Sequence, residues 1–100
     1  MTVVVIGTMR FPPQNMDKVK PHLRRLIETT RRLDGCTAYD AAEDVFEPGL
    51  IRFSEIWPDS ASLAKHLKAS HIAPWRAAAS EFGVHDRQFT AFDADNARPV

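Results

Sequence analysis

Cysteine is nearly absent from this chain of 100 residues: Cys36 stands alone, so no internal disulfide can form. Net charge is absent too. The 13 basic and 13 acidic side chains cancel, with a pI near 6.9, and no long-range field draws the protein to nucleic acid or to an anionic membrane. Glycine is scarce at 4 residues, and no glycine-rich phosphate loop occurs. A Gly-x-Ser-x-Gly elbow, a cysteine pair and a His-Glu-x-x-His zinc motif are also missing, which withdraws support from nucleotide and metal chemistry. No hydrophobic run reaches transmembrane length, and the opening residues lack the basic flank and apolar length of a signal peptide, so the sequence reads as cytoplasmic.

What is present is enough apolar side chain, 44% of residues, for one globular domain. A domain this short buries only about two thirds of its unfolded surface, so its core is marginal unless a partner adds to it.

The β-branched run Val3 to Ile6 predicts a strand over 2–9 that is apolar on both faces. Met16, Val19, Leu23, Leu26, Ile27, Thr30 and Leu33 recur at threes and fours and predict a helix ending at Asp34-Gly35. Pro21 predicts a kink or an irregular start to that helix. Strands over 36–43 and 50–57 flank a Glu47-Pro48-Gly49 turn, and the second is again apolar on both faces. Asp59 caps a helix over 60–70, Pro74 begins another that Gly83 ends, and 84–92 is a fourth strand.

The order βαββαβ predicts an α+β, ferredoxin-like sandwich with a four-stranded antiparallel sheet. The domain covers 1–93, and 94–100 is a C-terminal tail. Two helices cover one sheet face. The apolar groups on the other face then call for the sheet of a second copy, giving a homodimer.

Chemistry concentrates between Glu55 and Trp75, around what is expected to be the only pocket. Glu55 lies between Phe53 and Trp57 on one face of a central strand, where a buried carboxylate needs a partner. A histidine of the overlying helix suits, since a carboxylate on one imidazole nitrogen makes the other a better base. Arg52, Arg87 or Lys65 are the structural alternatives. His66 and His71 are five apart, about 140° on an ideal helix, so the spacing argues against a shared zinc site. Trp57 and Trp75 read as core residues or as walls for a flat ring, and Tyr39 reads as a donor to a substrate oxygen or a residue of the dimer seam. Cys36 reads as a small buried hydrophobe.

The runs Asp34-Gly35-Cys36-Thr37-Ala38-Tyr39, Ile51-Arg52-Phe53-Ser54-Glu55-Ile56-Trp57 and Ala61-Ser62-Leu63-Ala64-Lys65-His66-Leu67, ending at His71, resemble the antibiotic biosynthesis monooxygenase superfamily, in particular its quinol monooxygenase-like branch. The resemblance implies a ferredoxin-like fold dimerised into an α+β barrel. It also implies oxidation of an electron-rich phenol or hydroquinone by O2 with no flavin, haem or metal. On that footing His66 is the expected base and His71 the second choice, with Glu55 orienting the imidazole. Trp57, Trp75, Phe53 and Tyr39 are the expected substrate contacts. The haem-degrading relatives carry an asparagine on strand one, where this chain has Gly7 and Thr8, which counts against haem breakdown. The competing reading is a non-catalytic dimer of the same fold that binds a small molecule or regulates.

Overall fold

In the computed structural model, which describes residues 1–100, the opening β-branched run forms β1 (Thr2–Arg10). Then follow α1 (Met16–Leu33), β2 (Ala38–Glu43), β3 (Leu50–Trp57), α2 (Ser60–Leu67), α3 (Ile72–Glu81) and β4 (His85–Ala94). The sheet is antiparallel with order β2-β3-β1-β4, so both strands that read as apolar on two faces are central. This is the expected α+β, ferredoxin-like arrangement.

Alternation along the strands divides the sheet into two faces. Val3, Val5 and Met9 of β1 join Ile51, Phe53 and Trp57 of β3 in one core with Val19, Leu23 and Leu26 of α1 and Ile72 and Trp75 of α3. The other face has no cover in the monomer. There Ala38, Ile56, Val4 and Phe92 align across all four strands, and Ile6 and Phe92 are 50% and 52% exposed.

Four boundaries differ from the periodicity, the first three for identifiable reasons. A 3-10 turn over Pro13–Asn15 precedes α1, which then runs on through Pro21. Pro21 and Asp17 are both exposed, so water can satisfy the carbonyl that the proline leaves without a donor. The helix expected over 60–70 stops at Leu67, where the amides of Lys68 and Ala69 bond back to Lys65 and His66 in a tightened turn. The next helix begins at Ile72, which places Pro74 in its first turn, where a missing N–H costs least. β4 reaches Ala94, inside the segment expected to be a tail.

Gly7 pairs with Phe53 on one side and Phe89 on the other, and the Phe89 ring occupies the space where a Cβ of residue 7 would lie. The two phenylalanine rings thereby approach to 5.2 Å across β1. Gly7→Ala is therefore expected to cost about 1–3 kcal/mol by overpacking. Urea denaturation checks this, and the cost should shrink in a Phe89→Ala background, where the ring is gone.

Candidate functional site

A cavity of about 200 Å³ lies between the covered sheet face and the helices. Its walls include Tyr39 of β2, Phe53 and Glu55 of β3, His66 of α2, Trp75 of α3 and Phe89 of β4. Strand alternation brings Phe53 and Glu55 to the same side, and the capped start of α2 aims His66 back over them. Asp59 accepts from the Ser62 amide at 2.7 Å, which fixes where that helix begins. The cavity is not the only depression: a notch of about 80 Å³ between α1 and α3 is lined by His22, Arg25, His71 and the far side of Trp75, among others.

Glu55 is 4% exposed, and its Oε1 accepts from the Trp57 indole N–H at 2.9 Å. None of the cations considered from sequence pairs with it, and Arg52 turns instead to Asp44 at 2.8 Å. Burial pushes the Glu55 carboxyl above its ordinary range, against the opposing pull of the Trp57 donor and the charges of His66 and Arg87. A carboxyl with a raised folded-state pKa contributes stability at low pH, and that contribution is lost as pH rises from its unfolded value through the raised one. Glu55→Gln keeps an oxygen for the indole and cannot ionise. Its stability relative to the native chain is expected to improve as pH rises from the unfolded carboxyl value of about 4.3 through the raised folded-state one. Urea melts of both proteins across that range measure the effect, and parallel curves would contradict it.

The imidazole of His66 is 4% exposed, with its centroid 4.8 Å from the tilted Trp57 ring and 5.3 Å from Tyr39, which it meets edge-on. Its Nδ1 lies 2.6 Å from Oδ2 of Asp34, not on Glu55. The expectation that Glu55 orients the base is therefore corrected: Asp34 is the carboxylate in contact. Nε2 of His66 has no protein partner and is the nitrogen left for the cavity.

His71 does not line the cavity. It sits beyond the end of α2 with Nε2 at 3.0 Å from the same Asp34 oxygen and 3.2 Å from the Thr30 hydroxyl. Its placement as an alternative base facing substrate is corrected accordingly. The spacing argument against a shared target also fails, because it assumed one continuous helix. Asp34, His66 and His71 present ligand-capable atoms within 4.8 Å of one another. The 2.6 Å separation of Nδ1 and Oδ2 is that of a charge-assisted hydrogen bond. Two ligands of one first-row ion at about 2.1 Å stand roughly 3 Å apart or more, so the pair has hydrogen-bond and not ligand geometry.

The aromatic residues divide in the same way. Phe53, Tyr39 and Trp75 line the cavity, whereas Trp57 is 0% exposed and lies behind Glu55 and His66, supporting both. The expected substrate contact at Trp57 is thus replaced by a structural one. Tyr39 makes no side-chain hydrogen bond within the protein, and no fully buried side-chain polar atom lacks a partner, so its hydroxyl opens on the cavity. Burial first, then the charges of Glu55 and Asp34, raise its pKa, which keeps the hydroxyl a donor. Burial likewise raises the pKa of the half-buried Cys36 thiol and leaves it unreactive.

Asp34 read from sequence only as the end of α1, yet two signals mark it. A carboxylate at a helix C-terminus opposes the helix dipole, so it needs a compensating donor. Thr30, one turn earlier and 0% exposed, is a polar residue on the apolar stripe that also needs a partner, and it finds His71.

The family described as antibiotic biosynthesis monooxygenase matches residues 2–78. A crystal structure of a candidate antibiotic biosynthesis monooxygenase from Deinococcus radiodurans is 26% identical with a TM-score of 0.91, covering 98% of this chain and 97% of that one. Another structure, of an antibiotic biosynthesis monooxygenase, is 32% identical with a TM-score of 0.85 over 94% of this chain and 99% of that one. Rv0793 from Mycobacterium tuberculosis, 23% identical with a TM-score of 0.85 over 99% of this chain and 100% of its own, shares the fold. An uncharacterised Synechocystis protein, sll1783, is 27% identical over 70 residues, or 70% of this chain, which spans 48% of that protein's length. No helix is long and apolar enough to cross a membrane.

Proposed function

The chain belongs to the antibiotic biosynthesis monooxygenase family, and from that premise we propose that it is a cofactor-independent monooxygenase that oxidises an electron-rich phenol or hydroquinone to a quinone with O2. The observation that carries the reading is His66: a buried imidazole with one nitrogen bound to a carboxylate and the other free toward an aromatic cavity. A dry cavity of about 150 Å³ accepts benzene. One of about 200 Å³ therefore suits a substituted single ring better than a polycycle.

In the proposed reaction Nε2 of His66 removes a phenolic proton, and the phenolate gives one electron to O2. The aryloxyl radical and superoxide combine at a ring carbon. The resulting peroxide breaks its O–O bond, leaving one oxygen on the ring and releasing the other as water, while the hydrogen on that carbon departs as a proton. Every electron that reduces oxygen comes from the substrate. Tyr39 donates to a substrate oxygen, and Phe53, Trp75 and Phe89 hold the ring and exclude water. Glu55 borders the same cavity, with its Oε1 held by the Trp57 indole N–H.

The protein works in this reading as a homodimer joined through the uncovered sheet face, because the row Ala38-Ile56-Val4-Phe92 is an apolar band without a cover in the monomer. An oxygen electrode with a panel of single-ring hydroquinones tests the activity. Uptake above background with at least one of them is expected. Ring binding with no uptake across the panel would favour the non-catalytic binding module instead.

A further inference from the structure

We infer that Asp34 is a positioning residue that holds His66 in the tautomer with Nδ1 protonated, and that His71, from beyond the break after α2, anchors Asp34 for that task. The inference rests on the reading of His66 as a base and goes past it to the residues that set its state. Three elements converge on one carboxylate oxygen. Asp34 follows the last turn of α1, and Gly35, with φ of 73°, turns the chain away there in the left-handed conformation. His66 belongs to the last turn of α2, and His71 directly precedes α3.

Oδ2 of Asp34 accepts from Nδ1–H of His66 at 2.6 Å and from Nε2–H of His71 at 3.0 Å. The side chains of His66 and Asp34 are 4% and 9% exposed, so water does not compete effectively for the bond. With its proton on Nδ1, His66 keeps a lone pair on Nε2 facing the ring. When Nε2 takes the phenolic proton, the imidazolium forms against a carboxylate that is already in place. No reorganisation is needed at that moment.

The second donor has its own consequence. A carboxylate held by one imidazole alone can rotate toward water at the helix end, whereas His71 fixes the oxygen that His66 uses. His71 lines the notch between α1 and α3, so it does this from outside the substrate cavity. The break at Lys68–His71 makes the arrangement possible, because a continuous helix would send the two histidines in directions about 140° apart.

Nitrogen-15 NMR of the ring nitrogens and steady-state oxygen uptake test the inference together. In the intact chain neutral His66 should show a protonated Nδ1 and a bare Nε2. Asp34→Asn, whose amide can donate to Nδ1, should move the proton to Nε2 and lower kcat by about 10²-fold or more with KM little changed. His71→Leu should lower kcat to a smaller extent. His71→Gln, which retains a donor for Asp34, should recover part of that loss.

An Asp34→Asn protein that keeps both the His66 tautomer and kcat would overturn the inference. So would a native His66 protonated on Nε2, or a divalent metal that displaces the proton from Nδ1 at stoichiometric Zn²⁺. If the native chain consumes no oxygen with any hydroquinone, the functional reading fails, and the tautomer measurements still decide the role of Asp34.

Discussion

His66→Ala is expected to lower the rate of oxygen uptake by about 10²- to 10⁴-fold, the usual contribution of a positioned general base. The phenol must ionise before it can pass an electron to O2, and the cavity offers no other group suited to take the proton. Glu55 has its Oε1 taken up by the Trp57 indole N–H, Tyr39 is a donor whose pKa is raised, and His71 lies outside the cavity. The loss should fall on kcat, because the ring is held by Phe53, Trp75 and Phe89 and not by the imidazole. His66 also packs on Trp57 and Tyr39, so a truncation removes packing as well as a base. His66→Gln separates the two effects: it fills much of the space, cannot act as a base at neutral pH, and should be as inactive as the alanine variant while melting closer to the native chain. Uptake unchanged in both variants would assign the proton to another group.

Ile6→Lys is expected to leave the protein monomeric by preventing the proposed sheet-to-sheet dimer. Ile6 lies on the uncovered face between Ser54 and Thr90 and is half exposed in the isolated chain, so a lysine there is solvated and costs the monomer little. Against a second sheet the same ammonium would be buried without a partner, at about 3–5 kcal/mol. A two-fold interface places the substitution on both sides, so the penalty is felt twice. Light scattering at micromolar concentration should give twice the chain mass for the native protein and the chain mass for the variant, with unchanged far-ultraviolet dichroism. A native protein that is already monomeric would remove the two-sheet argument.

The elements that the sequence made legible are those governed by local pattern. The βαββαβ order puts β1 and β3 at the sheet centre, where their double-sided apolar runs fit, and the spacing of Met16 through Thr30 traces the buried stripe of α1. Glu55 and His66 were recognisable because a carboxylate or an imidazole at a buried position requires an explanation. Their partners were not, since hydrogen bonds between residues 32 apart in sequence depend on how α1 and α2 pack over the sheet. The same is true of His71, because a five-residue spacing has one meaning on a continuous helix and another across the break at 68–71. Trp57 was misplaced for a related reason: strand alternation puts it on the cavity side of the sheet, but the depth of the cavity ends at Glu55 and His66.

Oxidation under ¹⁸O2 of whichever single-ring hydroquinone supports uptake, using protein stripped of metal by chelation and free of flavin and haem, tests the account most directly. A hydroxyquinone with one heavy oxygen on the ring, consumption of one O2 per ring and no accumulation of hydrogen peroxide are expected. An unlabelled quinone with stoichiometric peroxide, or uptake that stops when metal is removed and returns when it is restored, would contradict it.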